Sequence, residues 1–106
     1  MNVTKQDLIK IALDATKARF DSFPPYQADK YAAIGTASVT VQDYLMDRLG
    51  MDWHTAHALM YRTWRKVVTD HGHNIMLFKH GDGPYTYPYV GDVFDKAADA
   101  VLKKIA

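Results

Sequence analysis

The chain has no cysteine among its 106 residues, which excludes disulfides, thiolate nucleophiles and cysteine-ligated metals. It has no glutamate either: all 12 acidic residues are aspartate, although glutamate is the better helix former and much of the chain reads as helix. No apolar run approaches the roughly 20 residues needed to cross a bilayer. Met1 to Lys10 also lacks the basic start and apolar run of a signal peptide, so a cytoplasmic protein that does not enter a membrane is expected. Serine is confined to Ser22 and Ser38, and neither belongs to a recognisable nucleophile motif. Gly81-Asp82-Gly83-Pro84 is not followed by the Lys-Ser/Thr pair of a phosphate-cradling loop, and the turn chemistry of a hairpin explains it. These absences point away from catalysis, and neither a catalytic residue nor a cofactor is expected.

What is present fits one domain spanning residues 1–106, in which 48% hydrophobic residues are enough for a modest core. The net charge is only +1, but it is unevenly spread. Between Arg48 and His80 five Lys or Arg stand against two Asp, and all five histidines, at 54, 57, 71, 73 and 80, lie in the same stretch.

Thr4 with Asp7 three residues on is a capping pair for a first helix, whose Leu8, Ile11, Ala12, Ala15 and Ala18 share one face up to about Phe20. Pro24-Pro25 stops it, and residues 22–38 read as a connection with a short helical turn over 28–34. Thr40 is the expected cap of a second helix over 41–49, with Val41, Tyr44, Leu45 and Leu49 inward and Gly50 at its C-terminus. Asp52 caps a third helix, 53–70, whose inward stripe is Ala56, Leu59, Met60, Thr63 and Val67, with His71-Gly72 as the stop. Two strand-like runs, Ile75 to Phe78 and Tyr85 to Val90, flank a glycine-rich turn and read as a β-hairpin over 74–90. Pro88 would put the second strand at an edge, and Tyr85, Tyr87 and Tyr89 would share a face by the period of two. A last helix, 92–105, is capped by Asp92 and buries Phe94, Ala97, Ala98, Val101, Leu102 and Ile105.

Leu45, Leu49, Gly50, Met51, Ala56 and Leu59 sit where a helix-turn-helix places its inward residues, over about 40–70. With the hairpin after it, the stretch from about 39 to 90 resembles a winged helix-turn-helix domain. Met46 departs from that pattern, which usually has a small residue there. The resemblance implies an α+β fold, mostly helical: a winged-helix-like three-helix core with one hairpin and an added C-terminal helix. It further implies a small transcription or replication regulator that binds double-stranded DNA, with the helix after Gly50 in the major groove and the hairpin tip on the backbone. Trp53, His54, Thr55, His57, Ala58 and Tyr61 would then face the groove, Arg62, Arg65 and Lys66 the phosphates, and Lys79 and His80 would form the wing tip. The groove face carries no Arg, Asn or Gln, the side chains with the strongest base readout.

The alternative is a protein-docking module of the kind phage and plasmid accessory proteins use to inhibit or adapt a host factor. Trp53, Tyr61, Trp64, Tyr85, Tyr87 and Tyr89, interleaved with Arg62 and Arg65, have the composition of interface hot spots. Trp64 also suits a core position. The apolar face of the last helix suits either the domain's own core or a homodimer. His54 and His57, three apart, and His71 and His73 have spacings that zinc accepts, but without cysteine or a zinc-protease motif no metal site is expected. The histidine cluster would instead make binding pH-dependent below about pH 6.5.

Overall fold

A computed structural model describes residues 3–21, 30–71 and 87–106, and every element within them is helical. Helix α1 is Lys5–Asp21 and α2 is Lys30–Leu49. Helix α3 runs without a break through Trp53–Leu59, a π-helical turn at Met60–Trp64 and Arg65–His71, and α4 is Tyr87–Ile105. Helix α1 packs chiefly on α2 and α4, and α3 packs on the same two.

The expected α+β architecture is overturned: among the described residues there is no strand. Residues 87–90, read as the outer half of a hairpin, are the first turn of α4, which therefore starts five residues before the expected Asp92 cap. Pro88 accounts for the difference. A proline whose missing N–H would exclude it from a central strand is equally at home in the first turn of a helix, where that N–H would have no intrahelical partner. Helix propagation from the strongly apolar face downstream then outweighs a short period-two pattern of tyrosines. The remainder of the expected hairpin, 74–86, lies outside the described residues.

The second correction concerns α2, which begins 11 residues before the expected start at Val41. Thr40 is no cap; its hydroxyl donates to the Thr36 carbonyl at 2.8 Å, the back-bond a threonine makes inside a helix. The capping pair at α1 holds as expected, with Asp7 N–H donating to Thr4 Oγ1 at 3.2 Å and Thr4 N–H to Asp7 Oδ2 at 3.3 Å.

The core gathers Leu8, Ala12, Ala37, Val41, Leu45, Met60, Trp64, Val68, Val93, Phe94, Ala97, Ala98 and Val101. The Trp64 and Phe94 rings stack with centroids 5.5 Å apart, joining α3 to α4. In α1 the buried row is Leu8, Ala12 and Thr16, whose hydroxyl is satisfied by the Ala12 carbonyl, while Ala18 is exposed. Met46 is half-buried. The apolar face of α4 that suited a homodimer is spent inside the chain, on α1 and α3. Lys5 ties the start of α1 to α4, with its ammonium 3.3 Å from Asp95 and 3.5 Å from Asp99.

Candidate nucleic-acid interface

Two residues fix where α3 begins. Gly50 has a φ of 64°, the left-handed conformation that ends α2 and that glycine adopts without a Cβ penalty. Asp52 then caps α3, accepting the Thr55 N–H at 2.8 Å and the Thr55 hydroxyl at 3.1 Å. The Thr55 N–H bond above all holds the Asp52 carboxyl below its ordinary range. Both features match the expected turn, and from Trp53 to Thr69 no acidic residue follows.

The π turn decides what α3 presents. At 3.6 residues per turn, each four-residue step overshoots a full turn by about 40°. A regular helix would therefore carry positions 56, 60, 64 and 68 about 120° around its surface. Here Ala56, Met60, Trp64 and Val68 are all buried on one side. The wider turn, in which Arg65 N–H reaches back five residues to the Met60 carbonyl, takes up the overshoot.

A second four-step series, Trp53, His57, Tyr61 and Arg65, forms a row of neighbouring side chains on the outer surface. Trp53 lies flat on His57, with centroids 4.5 Å apart and planes 8° from parallel. His57 meets Tyr61 at 6.1 Å, and the Arg65 guanidinium lies over the Tyr61 ring at 5.4 Å. His54 sets its ring edge-on to Trp53 at 5.3 Å. Trp53 is 51% exposed and Tyr61 61%, so this is an aromatic row in solvent.

Of the residues expected to face nucleic acid, Trp53, His54, Thr55, His57, Tyr61, Arg62 and Lys66 are exposed, and Arg65 and Ala58 are half-buried. The Thr55 hydroxyl is engaged with the cap, so its remaining capacity is as an acceptor. Lys79 and His80 lie outside the described residues. An open concavity of about 440 Å³ is lined by Tyr61, Arg62, Arg65, Lys66, Thr69 and Asp70. Lys66 is bound to Asp70 at 3.0 Å, whereas neither Arg62 nor Arg65 makes an ion pair among the described residues. Thr69 and Asp70 were not expected at the site, although both lie one turn beyond Arg65 and Lys66, a signal the sequence does carry.

Trp64 is fully buried against Phe94, so it leaves the set of surface hot-spot candidates. Tyr87 and Tyr89 stand in the first turn of α4 and not on a sheet face. Among the described residues no group of three or more metal-ligating side chains comes together. No helix among the described residues is long and apolar enough to cross a membrane.

No family model, no curated protein and no solved structure matches the chain.

Proposed function

We propose that this protein binds DNA non-covalently through the exposed face of α3, in the manner of a small regulator of transcription or replication. The observation that carries this reading is an outer helix surface without an acid from 53 to 69, on which Arg62 and Arg65 lack a carboxylate partner among the described residues. An unpaired guanidinium on an exposed helix is already available for a phosphate, and each such pairing adds counterion release to the binding free energy. Lys66 contributes less, because Asp70 competes for it. The first two turns, with Trp53, His54 and His57, project towards the bases when the middle of the helix lies along the backbone.

Fluorescence anisotropy with random duplex DNA tests this at about 50 and 200 mM salt. Affinity should fall steeply with salt, and replacing Arg62 and Arg65 together by Ala should flatten the log–log slope by about 0.9 for each phosphate that is no longer neutralised. Absence of binding at the lower salt, with duplex and with single-stranded DNA alike, removes the reading. The second reading, a protein partner docked on Trp53, Tyr61 and Arg65, rests on the exposure of these two rings. It predicts pull-down of a partner that Trp53→Ala abolishes and that salt barely affects.

A further inference from the structure

We infer that the aromatic row of α3 receives an unpaired nucleobase at its amino end, on the outer face of Trp53, so that the protein prefers single-stranded to duplex DNA. The inference rests on the DNA-binding reading and names the form of DNA. Within the row there is no room for a base: His57 already lies 4.5 Å from Trp53, Tyr61 is 6.1 Å further, and Arg65 covers Tyr61. The row can grow only at its end.

Trp53 is the first residue of α3, and helical side chains lean towards the N-terminus, so no preceding turn of α3 stands over its outer face. Its ring contacts are His57 on one face and the edge of His54, and it remains 51% exposed. His57 already stacks on one face of the indole, so a base on the other face extends an existing stack. The phosphates following such a base meet a surface of complementary charge at Arg65, the last member of the same row, which stands twelve residues along the helix, about 18 Å at 1.5 Å per residue. Intact duplex offers the same phosphates but keeps its base faces stacked. The face of α3 lacks the Arg, Asn and Gln that read base edges in a groove, whereas a ring surface accepts any base.

The test compares three ligands at about 50 mM salt: a single strand of about 12 nucleotides, its duplex, which carries twice the phosphates and so has the electrostatic advantage, and an abasic strand of the same length as the single strand. The single strand should bind tightest, and Trp53→Ala should weaken it roughly 5- to 150-fold, the value of one base–aromatic stack, while weakening the duplex and abasic strands far less. Because Trp64 is buried, quenching of tryptophan fluorescence by the single strand, absent with the abasic strand, reports Trp53 directly. Trp53→Phe, which keeps a ring, should retain most of the preference. Duplex binding as tight as single-strand binding, or an equal effect of Trp53→Ala on all three ligands, overturns the inference and leaves the DNA-binding reading standing. If none of the three binds, that reading falls and takes the inference with it.

Discussion

An added Cβ at Gly50 meets nothing within 4 Å, so the cost of Gly50→Ala is conformational alone. With φ at 64° it should be about 1–2 kcal/mol, read by urea denaturation. Gly50→Asn should cost less, since asparagine tolerates that region. Two residues on, Asp52 contributes through an acceptor and through its charge. Asp52→Ala should lower the Tm at neutral pH by more than Asp52→Asn, which keeps the acceptor and loses only the charge. The folded-state pKa of Asp52 lies below its ordinary 3.8. Its pH-dependent contribution is therefore full above that value and is lost as the pH falls from there through the lowered one. Thermal melts of the wild type and Asp52→Asn should run parallel at neutral pH and converge in that acid window. Both residues were legible in the sequence, because caps and left-handed turns depend on a few neighbours and on no distant contact.

At the scale of elements, glycine has the opposite sign. Gly35 lies inside α2 with nothing within 4 Å of a Cβ placed there, so Gly35→Ala should stabilise the protein by about 0.5–1 kcal/mol. Had α2 begun at Val41, the same change would fall in a connection and do little; the denaturation midpoint decides. The early start was hidden because Ala32, Ala33, Ile34, Gly35 and Thr36 have little amphipathic contrast and include a poor helix former in Gly35. The start of α4 was hidden for a different reason: Tyr85 to Val90 satisfies a strand period and a helix start equally well, and the choice belongs to the helix that follows. The π turn lay beyond spacing arguments based on 3.6 residues per turn, although the four-step series of Ala56, Met60, Trp64 and Val68 is its trace.

For the whole molecule, Trp64 is the test of the core. Trp64→Ala should cost about 3–5 kcal/mol in equilibrium denaturation, by the loss of a large buried ring and its stack on Phe94. Trp64→Phe should cost far less, because it keeps an aromatic against Phe94 and removes an indole N–H that meets no acceptor among the described residues. Equal losses for the two would show that the N–H is bonded and contributes to the fold.

The sequence by itself determined what local chemistry decides: the caps at Thr4 and Asp52, the left-handed Gly50 and the stretch without acids. Each follows from side chains within a turn of one another. Only the tertiary structure decided that residues 87–90 extend a helix, that the face of α4 is consumed by α1 and α3, and that Trp64 is core while Trp53 is surface. These depend on which apolar faces find each other. The contacts along Trp53, His57, Tyr61 and Arg65 belong there too: a spacing of four permits them, but the packing that turns the other side of α3 towards α2 and α4 is what leaves this side in solvent.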